Sequence, residues 1–354
     1  MAQGSAFGPM DGVDGVDGVD GVDGVEALDL LGGGRRSVFR PIGIGPEFAR
    51  RPTEADYRGH RWPPRLKDAP WPPAAGAAAS GWPIASDAIA RRLTDFTPDN
   101  ASLLVLAELV QLKDDAGDLA WAKLLVRDKT NAGNDDMAKD IAAQGPGGAG
   151  GTVAMELAEL RLLAQFRAGA MAEALAQRSG IIGYFRGVLQ FSLATHPHTY
   201  YLAAAALRVG QFLCMHYKGQ FNRPRPGRID PSLMPQIDPP GHSAYPSGHS
   251  LQSFLIAHCL DQVLPARLGT GLSPSPCQLL AQRIAKLREV LGVHYPSDTA
   301  AGRRVAEKTF PLLLACGLVK GSGGGTVPVT FGGTTYTLHQ DGWLGRAQEE
   351  WAPR

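Results

Sequence analysis

The chain has 354 residues, of which 44% are hydrophobic, and its 35 Lys plus Arg stand against 34 Asp plus Glu for a formal net charge of +1. That balance excludes nucleic-acid binding by bulk charge, which needs a strong basic surplus, but allows a local basic pocket. The four cysteines, Cys214, Cys259, Cys277 and Cys316, are widely spaced with no Cys-x-x-Cys pair. This pattern argues against a disulfide frame or a zinc site and for buried thiols in a reducing compartment.

The first residues, Met1-Ala2-Gln3-Gly4, carry neither a basic n-region nor an apolar h-region, so no secretory signal is read and a cytoplasmic location is expected. A membrane helix needs ~18 or more consecutive apolar residues. The best candidate, Tyr200 to Tyr217, contains Arg208 and His216, and Leu312 to Val319 is too short. No membrane span is expected.

Residues 11–25 are five perfect Asp-Gly-Val repeats. An acidic, glycine-rich repeat buries little, so residues 1–31 are expected to be disordered. Residues 32–84, rich in Gly, Arg and Pro, include Trp62, Trp71 and Trp82, each followed by proline. They read as an irregular arm with tryptophan anchors. A helical domain is expected over 85–320. Leu103, Leu104, Leu106, Leu109, Val110 and Leu112 recur at helical spacing, with Asn100 or Ser102 as the cap. The glycine-rich run at 145–151 lacks a Lys-Ser/Thr ending and a preceding strand, so it reads as a linker rather than a phosphate loop. Further helices are expected over Met155 to Gln177, Thr199 to Tyr217, Leu251 to Leu264, Cys277 to Leu291 and Asp298 to Leu314. In the tail, 321–354, Thr326 to Leu338 alternates apolar and polar residues around Gly332-Gly333, a hairpin signal. The fold class is therefore all-α, a helical bundle with a C-terminal β-hairpin.

Three segments carry chemistry. Lys218-Gly-Gln-Phe-Asn-Arg223-Pro-Arg225-Pro226 places a lysine and two arginines near one point, after a buried helix that Pro224 and Pro226 end. Three such cations repel unless they hold an anion, and guanidinium forks suit tetrahedral oxyanions; a solvated basic turn is the plain alternative. Pro246-Ser247-Gly248-His249 opens an apolar helix, where amides and the helix dipole attract anions and Gly248 lets one approach. Ser247 could equally serve only as the helix cap. The third segment runs from Arg288, late in one helix that Gly292 ends, through His294 to Asp298 in the first turn of the next helix, which Pro296 opens. A carboxylate four residues from the histidine can hold one ring nitrogen and leave the other for chemistry; the alternative is a surface His–Asp pair. His258, on an apolar helix, reads as a satisfied core residue.

Together these segments resemble the signature of the type 2 phosphatidic acid phosphatase and vanadium haloperoxidase superfamily: Lys-x6-Arg-Pro, then Pro-Ser-Gly-His, then Ser-Arg-x5-His-x3-Asp. The match over 218–298 departs at one position, where Leu287 stands in place of the serine. The resemblance implies an all-helical bundle with the site between helix ends. It implies that Lys218, Arg225 and Arg288 hold phosphate or vanadate, with hydrogen bonds from Ser247 and the Gly248 amide. His294 is then the nucleophile, or the vanadium ligand if vanadate is bound. Asp298 orients it, and His249 is the acid–base group on the leaving-group side.

One cage serves two reactions. As a phosphatase the protein needs no cofactor and hydrolyses a small phosphate ester through a phosphohistidine on His294. As a haloperoxidase it keeps vanadate as cofactor and takes peroxide and halide. His242, seven positions before His249, resembles the extra histidine of vanadium bromoperoxidases and could line a halide site or merely shape the pocket. A soluble phosphatase is the preferred expectation. A non-catalytic scaffold that uses the repeats and the Trp-Pro arm to bind partners is the third, and the intact His294, Asp298 and His249 make it the poorest.

Overall fold

The computed structural model describes residues 96–352 apart from 146, 148, 149, 179 and 265–272. The Asp-Gly-Val repeats and the arm of 32–84 lie outside the described residues. Among the described residues the fold is mostly helical with one small two-stranded sheet. No described helix is long and apolar enough to cross a membrane.

The described α-helices are α1 (Pro98–Leu109), α2 (Asp136–Ala142), α3 (Val153–Leu163), α4 (Arg167–Arg178), α5 (Ile181–Leu189), α6 (Pro197–Phe221), α7 (Pro226–Ile229), α8 (Gly248–Val263), α9 (Pro276–Val290), α10 (Pro296–Ala315), α11 (Gly317–Lys320) and α12 (Trp343–Glu350). Between α11 and α12 the strands β1 (Thr326–Phe331) and β2 (Thr334–His339) pair antiparallel, with Val329 opposite Tyr336. Gly332 and Gly333 make the two-residue turn, as their position between alternating runs predicts.

Two helices organise the core because they are apolar on nearly every side. In α8, the turns from Gly248 through Leu260 are buried all round. In α6, the run Ala203-Ala204-Ala205-Ala206 is fully buried, and such small side chains let neighbouring helices approach closely. Helix α8 packs against α6, α9 and α10, while α1 and α12 cover further sides of α6. The four cysteines are buried free thiols.

Several boundaries differ from the expected ones. Helix α1 begins at Pro98, so Asn100 and Ser102 sit inside its first turns, and the Ser102 hydroxyl donates back to the Asp99 carbonyl. The single helix expected over Met155 to Gln177 is two helices, α3 and α4, joined by a 3-10 turn at Ala164–Phe166. Arg167, the first residue of α4, makes tertiary contacts at this break. Its Nε donates to Val290 O at 2.8 Å, and its Nη1 donates to Leu233 O at 2.7 Å and Met234 O at 2.9 Å. Those carbonyls lie far along the chain and leave no local mark. His258 is buried as expected, but among the described residues its Nε2 has no hydrogen-bond partner; the ring instead packs against Phe310 and Phe331.

The tail holds more than the expected hairpin. Helix α12 returns to the start of α6, where the Glu350 carboxylate accepts hydrogen bonds from His198 N (2.7 Å), Thr199 N (2.9 Å) and Thr199 Oγ1 (2.7 Å). A carboxylate at a helix N-terminus satisfies orphan amides and opposes the dipole. Burial pushes the Glu350 pKa up, but the hydrogen bonds from His198 and Thr199 outweigh it and hold the group below its usual value. A depressed carboxylate stabilises the fold above the unfolded pKa and loses that contribution as pH falls through the folded value. Glu350→Ala should therefore cost about 2 kcal/mol at neutral pH. The gap between variant and parent should close in acid, as chemical unfolding at a series of pH values would show.

Candidate active site

The site is assembled from helix ends, where backbone groups lack intrahelical partners. Lys218 lies in the last turn of α6, Arg223 and Arg225 follow it, Ser247 caps α8, Arg288 lies in the last turn of α9, and His294 and Asp298 flank the start of α10. All of these side chains are buried, so neither the solvated basic turn nor the surface His–Asp pair describes them.

The imidazole of His294 is held on both sides. Its Nδ1 lies 3.1 Å from Asp298 Oδ2, and its Nε2 lies 2.9 Å from Arg225 Nη1. A guanidinium only donates, so Nε2 accepts and Nδ1 carries the proton. Asp298 Oδ2 also accepts from Tyr295 N at 3.0 Å, which ties the carboxylate to the helix start. Burial, followed by the charges of Arg225 and Lys218, drives the His294 pKa well below its usual value against the pull of Asp298. The imidazole is neutral at physiological pH. Burial pushes the Asp298 pKa up, but Arg223 and the hydrogen bond from His294 reverse this and hold the carboxyl well below its ordinary range.

Arg225 is the hub of one side. Its Nε donates to His242 O at 3.1 Å, its Nη1 to Val293 O at 2.7 Å, and its Nη2 lies 2.9 Å from His242 Nδ1. Lys218 Nζ donates to Ser243 O at 2.7 Å and Ala244 O at 3.1 Å. The structure thus brings Lys218, Arg225, His242, His294 and Asp298 into one linked set.

His249 and Arg288 meet a different wall, the C-terminal turn of α4. His249 Nε2 lies 3.3 Å from Gln177 O, and Arg288 Nη2 donates to Ala174 O. The Ser247 hydroxyl does cap α8, accepting from Ser250 N, and Ser247 N donates to Asp298 O at 3.0 Å. That last bond joins the Ser247-Gly248-His249 turn to the helix that carries Asp298. The approach depends on Gly302 in α10, where an added Cβ would fall 2.6 Å from Ser247 O and 2.7 Å from Ser250 Cβ. Gly292, at φ +76°, ends the segment that leads to His294 in a left-handed conformation, as its place in the sequence suggests. A Cβ there would also meet Arg167 Nη2 at 2.7 Å.

Glu156, Ser297, Tyr245, Asp140 and Arg304 carry no assignment from sequence, and Arg223, read there as one of three cations gathered around an anion, is instead bonded to the carboxylates of Asp298 and Glu156. Arg223 bonds both Ser297 and Asp298, and Glu156 of α3 bonds Arg223 and Ser297 N. Behind the Ser247 turn, Tyr245 donates to Asp140 Oδ2 of α2, which also pairs with Arg304. Glu156 and Asp140 sit on helices with no local signature.

Residues 198–317 match the family described as the PAP2 superfamily, and the chain carries a domain of that superfamily. It is similar to decaprenylphosphoryl-5-phosphoribose phosphatases of two Mycobacterium tuberculosis strains, CDC 1551 / Oshkosh and ATCC 25618 / H37Rv. With each it shares 28% identity over 149 residues, spanning 38% of this chain and 78% of the relative.

Proposed function

We propose that this protein is a phosphohydrolase that cleaves a phosphate monoester through a phosphohistidine on His294. The observation that carries the reading is the His294 imidazole itself: buried, neutral, with its proton fixed on Nδ1 by Asp298 and its Nε2 lone pair turned toward a cationic side chain. A bound phosphoryl group takes the place of the imidazole as the partner of Arg225, and Lys218, Arg225 and Arg288 neutralise its equatorial oxygens. Ser247 and the Gly248 amide add hydrogen bonds at the positive end of α8. His294 Nε2 attacks phosphorus as the ester P–O bond breaks, and His249 gives a proton to the departing alkoxide. Water then loses a proton to His249, attacks phosphorus and breaks the P–N bond, which releases inorganic phosphate. Asp298 balances the charge on the imidazole ring throughout. The similar mycobacterial proteins, named as phosphatases of a phosphoribose ester, support a sugar phosphate as the substrate class.

One contact favours a second reading. His242 sits against Arg225 at 2.9 Å, at the edge of the same cage. The donor set that suits phosphate also suits vanadate, which would supply halide oxidation by peroxide. Lys218, Arg225, Arg288, Ser247 and the Gly248 amide would then hold the oxyanion against His294 Nε2. Two assays separate the readings: hydrolysis of p-nitrophenyl phosphate and ribose 5-phosphate without vanadate, and bromination with vanadate, bromide and peroxide. The expected result is hydrolysis that vanadate inhibits. Halide oxidation switched on by vanadate, with negligible hydrolysis, would overturn the phosphatase reading.

A further inference from the structure

A second ion-pair layer lies directly behind the nucleophile. Arg223 Nη1 donates to Asp298 Oδ1 at 2.7 Å and to Ser297 Oγ at 2.6 Å, and its Nη2 donates to Glu156 Oε2 at 2.6 Å. The other oxygen of Glu156 accepts from Ser297 N at 2.8 Å. The guanidinium also lies 3.7 Å from the centroid of the Tyr295 ring. Every side chain in this layer is nearly or fully sealed from solvent: Arg223 is 4% exposed, Glu156 1%, and Ser297 and Asp298 0%. Asp298 therefore divides its two oxygens, one to Arg223 and one to His294.

A buried ion pair is weak evidence for stability, because well-packed apolar side chains of similar volume often do as well. What apolar residues could not do here is fix the plane and the charge of the carboxylate that orients His294. We infer that Arg223 and Glu156 are positioning residues of the proposed reaction: Arg223 locks Asp298 against His294 and offsets its charge, and Glu156 limits that offset. The inference rests on the phosphatase reading for its kinetic consequences but not for its electrostatic ones.

The charges that face the His294–Asp298 dyad come from several elements. Lys218 comes from α6, Arg223 and Arg225 from the segment after it, and Glu156 from α3; Tyr295 and Ser297 at the start of α10 add polar groups, and His242 lies against Arg225. Removing the positive Arg223 leaves Asp298 less compensated, so the dyad takes up a proton at higher pH. Removing the negative Glu156 leaves Arg223 more positive, so the dyad takes it up at lower pH. A merely structural role predicts no such opposition.

The test measures the pH dependence of kcat/KM for p-nitrophenyl phosphate in the full chain, together with the 15N-NMR titration of the His294 ring. Arg223→Gln should lower kcat by ~10–100-fold with little change in KM, and move the acid limb up by roughly one pH unit. Glu156→Gln should move the limb down, with a smaller loss of kcat. Arg223→Lys should return the limb to its original place while recovering only part of kcat, because an ammonium lacks the two-sided fork. Limbs and NMR midpoints that move together in one direction, or not at all, overturn the inference. Should Arg223→Gln not fold, a downward limb in Glu156→Gln with an unmoved limb in Arg223→Lys supports it, and any other pair of results refutes it. If the parent protein hydrolyses no phosphate ester, the phosphatase reading fails alone, since the NMR midpoints still decide the positioning role.

Discussion

His294→Ala should lower the hydrolytic turnover of this protein by at least about 10⁴-fold, because nucleophile and binding cage are separate parts of the site. The variant removes the attacking Nε2 but leaves Lys218, Arg225 and Arg288 anchored by their backbone contacts: Lys218 on Ser243 and Ala244, Arg225 on His242 and Val293, Arg288 on Ala174. Oxyanion binding should therefore weaken far less than kcat. The fold should survive, since Asp298 keeps the Tyr295 amide and the Arg223 guanidinium as partners. Measuring kcat alongside inhibition by phosphate separates the two effects. Near-parental turnover in a folded His294→Ala protein would remove the phosphohistidine mechanism.

The parts of the site that could be read from sequence are those whose chemistry is local. Lys218 and Arg225 share one segment, Ser247 and Gly248 begin a helix, and Asp298 is one helical turn from His294, so spacing alone brings each group together. Helix placement was legible for the same reason where the core is simplest: α6, α8, α9 and α10 each fall within a few residues of the apolar runs that announce them. The remainder depends on contacts that no window of sequence contains. Glu156 looks like an ordinary charged position on an amphipathic helix until Arg223 arrives from another element to claim it. The contacts at the break between α3 and α4 are equally non-local, because the carbonyls that accept from Arg167 belong to residues 233, 234 and 290. Helix α12 owes its place to Glu350 finding the amides of α6, and nothing in the tail itself signals that partner.

Asp298→Asn should cost about 10³–10⁴-fold in kcat, by a route distinct from loss of the nucleophile. The carboxylate uses both oxygens as acceptors: Oδ2 from His294 Nδ1 and Tyr295 N, Oδ1 from Arg223 Nη1. An asparagine offers one acceptor and one donor, so one side must fail. With its oxygen toward His294, the amide NH₂ confronts the Arg223 guanidinium, and a buried cation loses one of its two carboxylates. With the amide reversed, the NH₂ faces the Nδ1–H of His294 and the Tyr295 amide. The imidazole then shifts its proton to Nε2, where it meets the donors of Arg225 and has no lone pair for phosphorus. Either way the variant should lose roughly 3 kcal/mol of stability, the scale for breaking a buried pair. The pH dependence identifies the cause. In the parent, the depressed Asp298 contributes stability that is complete above the unfolded aspartate value of about 3.9 and fades as pH falls through its lower folded value. Asparagine has no such transition, so parent and variant should converge in acid when unfolding is followed across that range. A kcat loss of less than tenfold, or a stability gap that persists unchanged in acid, would mean that the Asp298 charge neither orients His294 nor anchors the start of α10.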